Sequence, residues 1–182
     1  MLETGMVRRI DDLGRIVIPK EMRKTLHLKE GDPIEIFTDR EQLILKKYSP
    51  ITSIKTYAET VAEGLSETMD KACVVTDTDS IIYVSGIKFK NVLGEKISSD
   101  LQALIRSGKS IISSNSDGGK IISPVHDENF QSENQIIVPI VKDGDSFGAL
   151  IVFDKDKASR FNSSDLKLVT LGATFLAKQF QV

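Results

Sequence analysis

The 182-residue sequence has no tryptophan, one cysteine and two histidines, and these shortages exclude several kinds of site. Cys73 alone cannot form an internal disulfide, and together with His27 and His126 it is too little to build a cysteine-rich zinc centre. No Ser/His/acid set and no isolated carboxylate pair stands out as catalytic machinery. Cys73 itself lies in a segment typical of a buried strand. We therefore expect neither enzymatic activity nor a bound metal or cofactor.

Long hydrophobic runs are also absent. The longest apolar run, residues 136–141, is far shorter than the roughly 18 residues that cross a bilayer. The N-terminus is acidic from Glu3 and has no apolar segment of the kind that secretory signals carry. These features predict a cytoplasmic protein without membrane contact.

Neither sign of charge dominates the whole chain, but the two parts of the sequence differ. The chain has 24 Lys and Arg against 26 Asp and Glu. Residues 1–50 carry a net charge of +1, whereas residues 51–182 carry −3. A surface that attracts nucleic acid would therefore be local and confined to the first part.

The hydrophobic pattern changes at Pro50. Before it, alternating residues and turn signals predict the order β-β-α-β-β, over residues 5–10, 15–18, 19–26, 33–37 and 43–47. A chain of this size buries too little surface to be stable alone. We expect the first part to be an obligate dimer.

After Pro50 the pattern predicts a sheet bracketed by two terminal helices. Apolar residues at helical spacing predict helices over residues 51–69, 98–106 and 163–181, the last capped by Asn162 or Ser163. Strands are predicted over residues 72–76, 81–84, 109–113, 135–141 and 147–153. The sequence Lys142-Asp143-Gly144-Asp145 between the last two strands is typical of a hairpin turn.

Six basic side chains fall within 17 positions of the first part: Arg8, Arg9, Arg15, Lys20, Arg23 and Lys24. The planar guanidinium group suits phosphate and guanine edges. Successive strand residues point to opposite faces, so we expect one of Arg8 and Arg9 to pair with Asp11 or Glu21 rather than to face a ligand. Taken as a bare cluster with several acids, these residues fit a solvated charged rim.

A longer motif changes this interpretation. The stretch TGMVRRIDDLGRIVIPKEMR, residues 4–23, resembles the swapped-hairpin DNA-binding domain of the AbrB transition-state regulators. The turn at residues 75–77 and the hairpin at residues 138–152 are similar to those of GAF sensor domains. In this order, the two parts resemble the stage V sporulation protein T family along essentially the whole chain.

The resemblance implies an α+β protein with two domains. Residues 1–50 would form a swapped-hairpin β-barrel that dimerises and binds double-stranded DNA, and residues 51–182 a GAF-like α/β regulatory and oligomerisation domain. In the resembled family, basic residues at the positions of Arg8, Arg15, Arg23 and Lys24 face DNA. Lysine at position 24 keeps phosphate affinity and loses the bidentate geometry of arginine.

The function implied is transcription regulation of sporulation genes in the forespore, by activation or repression. The GAF-like domain would sense an unidentified small molecule, under a roof formed by about residues 86–133, or drive oligomerisation. The last helix carries two apolar rows, one of Leu166, Val169, Ala173, Leu176 and Phe180 and the other of Leu168, Leu171 and Phe175. We expect one row to cover the sheet and the other to contact a partner subunit, which predicts a homotetramer, and we expect Leu176 and Phe180 to take part in that contact. The alternative is a MazE-like antitoxin that binds DNA and a protein partner.

Overall fold

The computed structural model describes residues 6–26, 28, 30–86, 92–126 and 130–180. The chain divides into two compact units, Met1–Tyr48 and Ser49–Val182. Glu3, Thr4, Gly5 and His27 lie outside the described residues, as do residues 87–91 and 127–129 of the segment predicted to roof a ligand pocket.

The first unit contains one short helix and one hairpin. Their bounds are α1 (Lys20–Thr25), β1 (Ile34–Asp39) and β2 (Gln42–Lys47). Pro19 is the N-cap of α1, with φ −57° and ψ 149°, so the helix begins at the residue after the proline. The strands pair antiparallel with Asp39 opposite Gln42, and Arg40 in the turn between them has a φ of 51°. The predicted helix and the last two predicted strands are thus confirmed.

The first two predicted strands are not formed. Residues 6–10 and 15–19 flank a turn but have no regular secondary structure, so the predicted barrel is not closed within the described part of one chain. The physical reason is visible in their side chains, because Val7 is 87% exposed and Val17 is 76% exposed. A strand stabilises a fold by pairing and by burying one face, and these segments do neither here.

The second unit is a five-stranded antiparallel sheet with the strand order β4-β3-β7-β6-β5. The strands are β3 (Ala72–Thr76), β4 (Ile81–Ser85), β5 (Ile111–Ser114), β6 (Asn134–Lys142) and β7 (Asp145–Asp154). The helices are α2 (Pro50–Ser53), α3 (Lys55–Met69), α4 (Ser99–Ser107) and α5 (Ser163–Gln179), and a 3₁₀ turn covers Asn115–Asp117. The mixed α and β architecture agrees with the predicted class.

The helix predicted over residues 51–69 is interrupted. Ile54 leaves the helical conformation, with φ −108° and ψ 24°, between α2 and α3. Ile51 and Ile54 are nevertheless both buried in the core. The start of α5 follows the prediction, because the Asn162 side chain accepts hydrogen bonds from the backbone of Ser164 and Asp165 while Asp165 accepts one from Asn162 N.

Apolar layers cover both faces of the sheet. One core packs α3 and α5 against alternate strand residues and includes Ala58, Leu65, Val152, Val169 and Leu176. The other packs α4 against the remaining strand residues and includes Val74, Leu101, Ile105, Ile137 and Ile151. Strands buried on both faces read as continuous apolar runs, which is the pattern of residues 136–141.

Gly148 in β7 lies against the backbone at the end of β3. A Cβ atom at this position would stand 1.9 Å from the carbonyl oxygen of Thr76 and 3.0 Å from the Cα of Asp77. Because both obstacles are backbone, the two strands would have to separate. We expect Gly148→Ala to destabilise the protein by about 2–3 kcal/mol, the upper part of the range for overpacking.

The measurement is the melting temperature, which should fall by roughly 4–12 °C for a protein of this size. Gly64→Ala is the matched control, because Gly64 lies in α3 and a Cβ there meets no atom within 4 Å. Alanine is the better helix former, so this control should melt at the same temperature or higher. Equal melting temperatures for Gly148→Ala and the wild type would contradict the close contact.

Candidate nucleic-acid interface

A tight turn over residues 11–15 presents the first arginine of the site. Asp11 N donates to Arg15 O at 3.1 Å and Gly14 N donates to Asp11 O at 3.0 Å. Gly14 has a φ of 76°, a conformation that costs glycine little. The Asp11 carboxylate also accepts from the backbone N–H groups of Leu13 and Arg15, at 3.0 and 2.8 Å. The turn is therefore closed by one acidic side chain, as in an Asx turn.

The same carboxylate binds the Arg15 side chain. Arg15 Nε lies 2.7 Å from Asp11 Oδ2, with the two side chains 70% and 37% exposed. The hydrogen bond from the Arg15 backbone, and to a smaller extent the one from its side chain, lower the pKa of Asp11 below its ordinary value. Asp11 is therefore ionised at neutral pH. An ion pair this exposed contributes little to stability. Its effect is on the position of the guanidinium group.

Helix α1 carries the other half of the basic set. Lys20, Arg23 and Lys24 are exposed on this helix. Arg23 and Lys24 occupy its last turn, where the negative end of the helix dipole stabilises positive charges. Arg23 N donates to Pro19 O at 2.9 Å, and Pro19 is buried. The helix is thus anchored at its start while its basic side chains remain in solvent.

Arg8 and Arg9 precede the turn and are both exposed. An Arg8 terminal amino group lies 3.2 Å from the sulfur of Met6. Asp11, one of the two acids expected to pair with Arg8 or Arg9, pairs with Arg15. The reason is the turn, which places the residue four positions after Asp11 beside its carboxylate. The pairing was missed because strand periodicity alone says nothing about a turn. The alternative pairing with Glu21 stays a prediction.

Apolar side chains are exposed throughout the first unit. The large ones exposed are Met6, Val7, Ile10, Leu13, Ile16, Val17, Met22, Leu26, Ile36, Phe37, Leu43 and Leu45. Among the described residues of this unit only Pro19 is buried. So much unburied apolar surface marks an interaction site in a folded protein.

The second unit has a smaller exposed apolar group on its terminal helices. Leu171 is 67% exposed, Phe175 is 43% exposed, and Tyr57 of α3 lies edge-on to Phe175 with ring centroids 6.1 Å apart. The expected contact of Leu176 and Phe180 with a partner subunit is wrong, because both side chains are buried in the core of their own unit. Leu168 of the other row is also partly buried against this core. We call Tyr57, Leu171 and Phe175 the helix patch. Tyr57 was missed because it lies on a different helix.

A cavity of about 210 Å³ opens at one end of the sheet in the second unit. Phe130 and Phe153 line it with their rings 5.0 Å apart, and Gly86 lies at its border. Asp154 in its wall is buried, and Lys71 Nζ lies 3.0 Å from its Oδ2. The cavity brings an apolar wall and a paired charge together.

Cys73, the cysteine of the chain, is buried in β3 of the second unit. Burial raises the pKa of the Cys73 thiol to about 12, which fits its predicted place in the core. Among the described residues, no three His, Cys, Asp or Glu side chains are grouped so that they could hold a metal ion. The described helices include none with the length and hydrophobicity needed to cross a membrane.

Comparison with known proteins relates both units to described families. The family model "Stage V sporulation protein T C-terminal, transcription factor" matches residues 53–181. A second family model, "Antidote-toxin recognition MazE, bacterial antitoxin", matches residues 7–53. For the second unit, a GAF domain from an Acinetobacter phosphoenolpyruvate-protein phosphotransferase aligns with a TM-score of 0.55 at 11% identity, covering 72% of this chain and 82% of that one. The GAF fold expected for this unit is confirmed.

Sequence relatives extend the match to the whole chain. The transition state regulatory protein AbrB of Bacillus subtilis (strain 168) is 46% identical over 65 residues, which cover 36% of this chain and 68% of that protein. Stage V sporulation protein T of the same organism is 40% identical over 182 residues, covering 100% of this chain and 99% of that protein. The chain therefore belongs to the stage V sporulation protein T family of transcription factors.

Proposed function

We propose that this protein regulates transcription of sporulation genes by binding double-stranded DNA through residues 1–50, and that residues 51–182 control oligomerisation. The observation that carries the proposal is the set of six exposed basic side chains around the 11–15 turn and α1, in a chain of a transcription factor family. Its place of action would be the cytoplasm, and within it the forespore. Binding rather than catalysis is the proposed activity.

The two kinds of basic residue would divide the work. Arg8, Arg15 and Arg23 can present a guanidinium fork to phosphates or to guanine edges in the major groove. Lys20 and Lys24 suit phosphate contacts, which supply affinity and set the position on the duplex. Arg9 would complete the positive surface. Asp11 and Asp12 lie among these charges, so the surface is less positive than its arginine count suggests.

The exposed apolar surface of the first unit supports a dimer of these units. A second copy could pair with residues 6–10 and 15–19 and cover the side chains that one chain leaves in solvent. Such an exchange would turn these segments into strands and close the barrel that the family resemblance implies. A dimer also presents two copies of the basic surface to one duplex.

The helix patch supports a second contact, between GAF-like units. Leu171 and Phe175 of α5 and Tyr57 of α3 form one exposed apolar group on the face that does not contact the sheet. If the two contacts involve different partner chains, the product is a homotetramer with two DNA-binding dimers. The cavity beside Phe130 and Phe153 offers a place for a small ligand in the same unit.

The antitoxin alternative rests on the match of residues 7–53 to the MazE family model. That match covers the first unit, which both interpretations share. The relative that extends over the whole chain is a sporulation protein, and residues 53–181 match a transcription factor model. These observations favour transcription regulation over toxin neutralisation.

The basic surface predicts that Arg15→Ala and Arg23→Ala each weaken binding to promoter DNA. Exposed side chains usually change folding stability by no more than about 0.5 kcal/mol, so the melting temperature should stay nearly unchanged. With about 6–8 phosphate contacts from a dimer, the slope of log K against log salt should be about −5 to −7. Fluorescence anisotropy titrations at several salt concentrations measure both quantities.

Lys167→Ala is the control for this experiment, because it removes one exposed positive charge from α5 in the other unit. It should leave the affinity for DNA unchanged. Full affinity in either arginine variant, or a slope near zero, would show that this surface does not face DNA.

The helix patch predicts that Leu171→Asp combined with Phe175→Asp separates tetramers into dimers. The variant should stay folded, because both side chains are exposed in the unit. Linked sites typically gain about 10² to 10⁴ in apparent affinity, so binding to DNA with two sites should weaken while single-site binding persists. Light scattering gives the mass, and titration of one-site and two-site DNA gives the affinities.

Thr170→Asp is the matched control, since Thr170 is exposed on the same helix and is neither three nor four residues away from Leu171 or Phe175. It should retain the wild-type mass. A double variant that keeps both the wild-type mass and the two-site affinity would refute the proposed contact between GAF-like units.

A further inference from the structure

The carboxylate of Asp11 accepts three hydrogen bonds although it is exposed in the proposed DNA-binding surface. Its Oδ1 accepts hydrogen bonds from Leu13 N and Arg15 N, and its Oδ2 lies 2.7 Å from Arg15 Nε. Asp12, the neighbouring exposed carboxylate, makes none of these bonds. Asp11 therefore has two separable tasks, closing the turn through one oxygen and holding the Arg15 side chain through the other.

The bond at Nε decides which part of the guanidinium group is left for a ligand. Arginine has five N–H donors in a fixed plane. Among the interactions of the described residues, the Arg15 side chain uses Nε, which leaves the donors on Nη1 and Nη2. These two nitrogens form an end of the fork that fits two acceptors side by side, such as O6 and N7 of guanine.

The bond also opposes indiscriminate binding. A carboxylate 2.7 Å from Nε offsets much of the attraction of Arg15 for any phosphate. Non-specific binding to DNA depends almost wholly on the attraction between basic side chains and phosphates. Holding a flexible side chain in place helps a directional contact with a base edge and does little for a contact that any phosphate can satisfy.

We propose that Asp11 is a positioning residue for DNA recognition, which fixes Arg15 by its Nε and so raises the ratio of specific to non-specific binding. This inference rests on the proposed DNA-binding function of Arg15. Asp11 contacts no DNA in this scheme and acts through Arg15.

The first test compares Asp11→Asn with Asp12→Asn. Asparagine keeps a side-chain oxygen for the backbone of the turn and loses the charge that holds Arg15. We expect Asp11→Asn to lower the ratio of specific to non-specific affinity by up to about 5-fold, because an exposed ion pair contributes no more than about 1 kcal/mol to holding a side chain in place. The slope of log K against log salt on non-specific DNA should become steeper by about one per freed arginine. Asp12→Asn removes the same charge and should keep the ratio.

A double-mutant cycle tests whether the effect passes through Arg15. In the Arg15→Ala background, Asp11→Asn should change the ratio no more than Asp12→Asn does, because no guanidinium group remains to be positioned. A purely structural role for Asp11 would instead lower the melting temperature and weaken both kinds of binding equally, whatever residue is at position 15. If Asp11→Asn loses the fold, Asp11→Ser supplies a second uncharged acceptor for the turn, and the same cycle is measured with it.

The outcomes separate this inference from the function on which it rests. If Arg15→Ala leaves DNA binding unchanged, Arg15 is not part of the interface and both proposals fail at this residue. If Arg15→Ala weakens binding but Asp11→Asn keeps the ratio and the salt slope of the wild type, the DNA-binding function stands and the positioning role of Asp11 is overturned.

Discussion

The first unit cannot bury its own apolar side chains within one chain, and much of the proposed function depends on this constraint. Its α1 helix and one hairpin have too few layers to enclose a core, so twelve large apolar side chains remain exposed while Pro19 alone is buried among its described residues. A chain of this size gains stability by association. Association would in turn duplicate the basic surface, so the requirement for a stable fold and the requirement for a two-sided DNA contact have the same solution.

The second unit is built under the opposite condition. Its sheet is covered on both faces, by α3 and α5 on one side and by α4 on the other, so it has a complete core within one chain. Large apolar side chains that stay exposed in this unit are therefore not needed for its core, and their exposure indicates a surface for another contact. Tyr57, Leu171 and Phe175 are outside that core, and the rings of Tyr57 and Phe175 are in contact. This unit can therefore supply a further interface without risk to its own stability.

Charge in the first unit serves geometry more than stability. The Asp11 to Arg15 pair is exposed on both sides, and water weakens its contribution to folding. The Asp11 carboxylate nevertheless holds both the 11–15 turn and the Arg15 side chain in place. The same reasoning applies to α1, where Pro19 holds the start of the helix and leaves Lys20, Arg23 and Lys24 in solvent.

The sequence alone determined the elements that depend on local chemistry. Asn162 caps α5, the Asp143–Gly144 pair turns the chain between β6 and β7, and continuous apolar residues mark strands that are buried on both faces. Tertiary structure decided the rest. Ile54 breaks a helix that its periodicity predicts to be continuous, and Leu168 is covered whereas Leu171 is not. Residues 6–10 and 15–19 form no strands, since a strand exists only with a neighbour to pair with, and side-chain spacing does not say whether that neighbour belongs to the same chain.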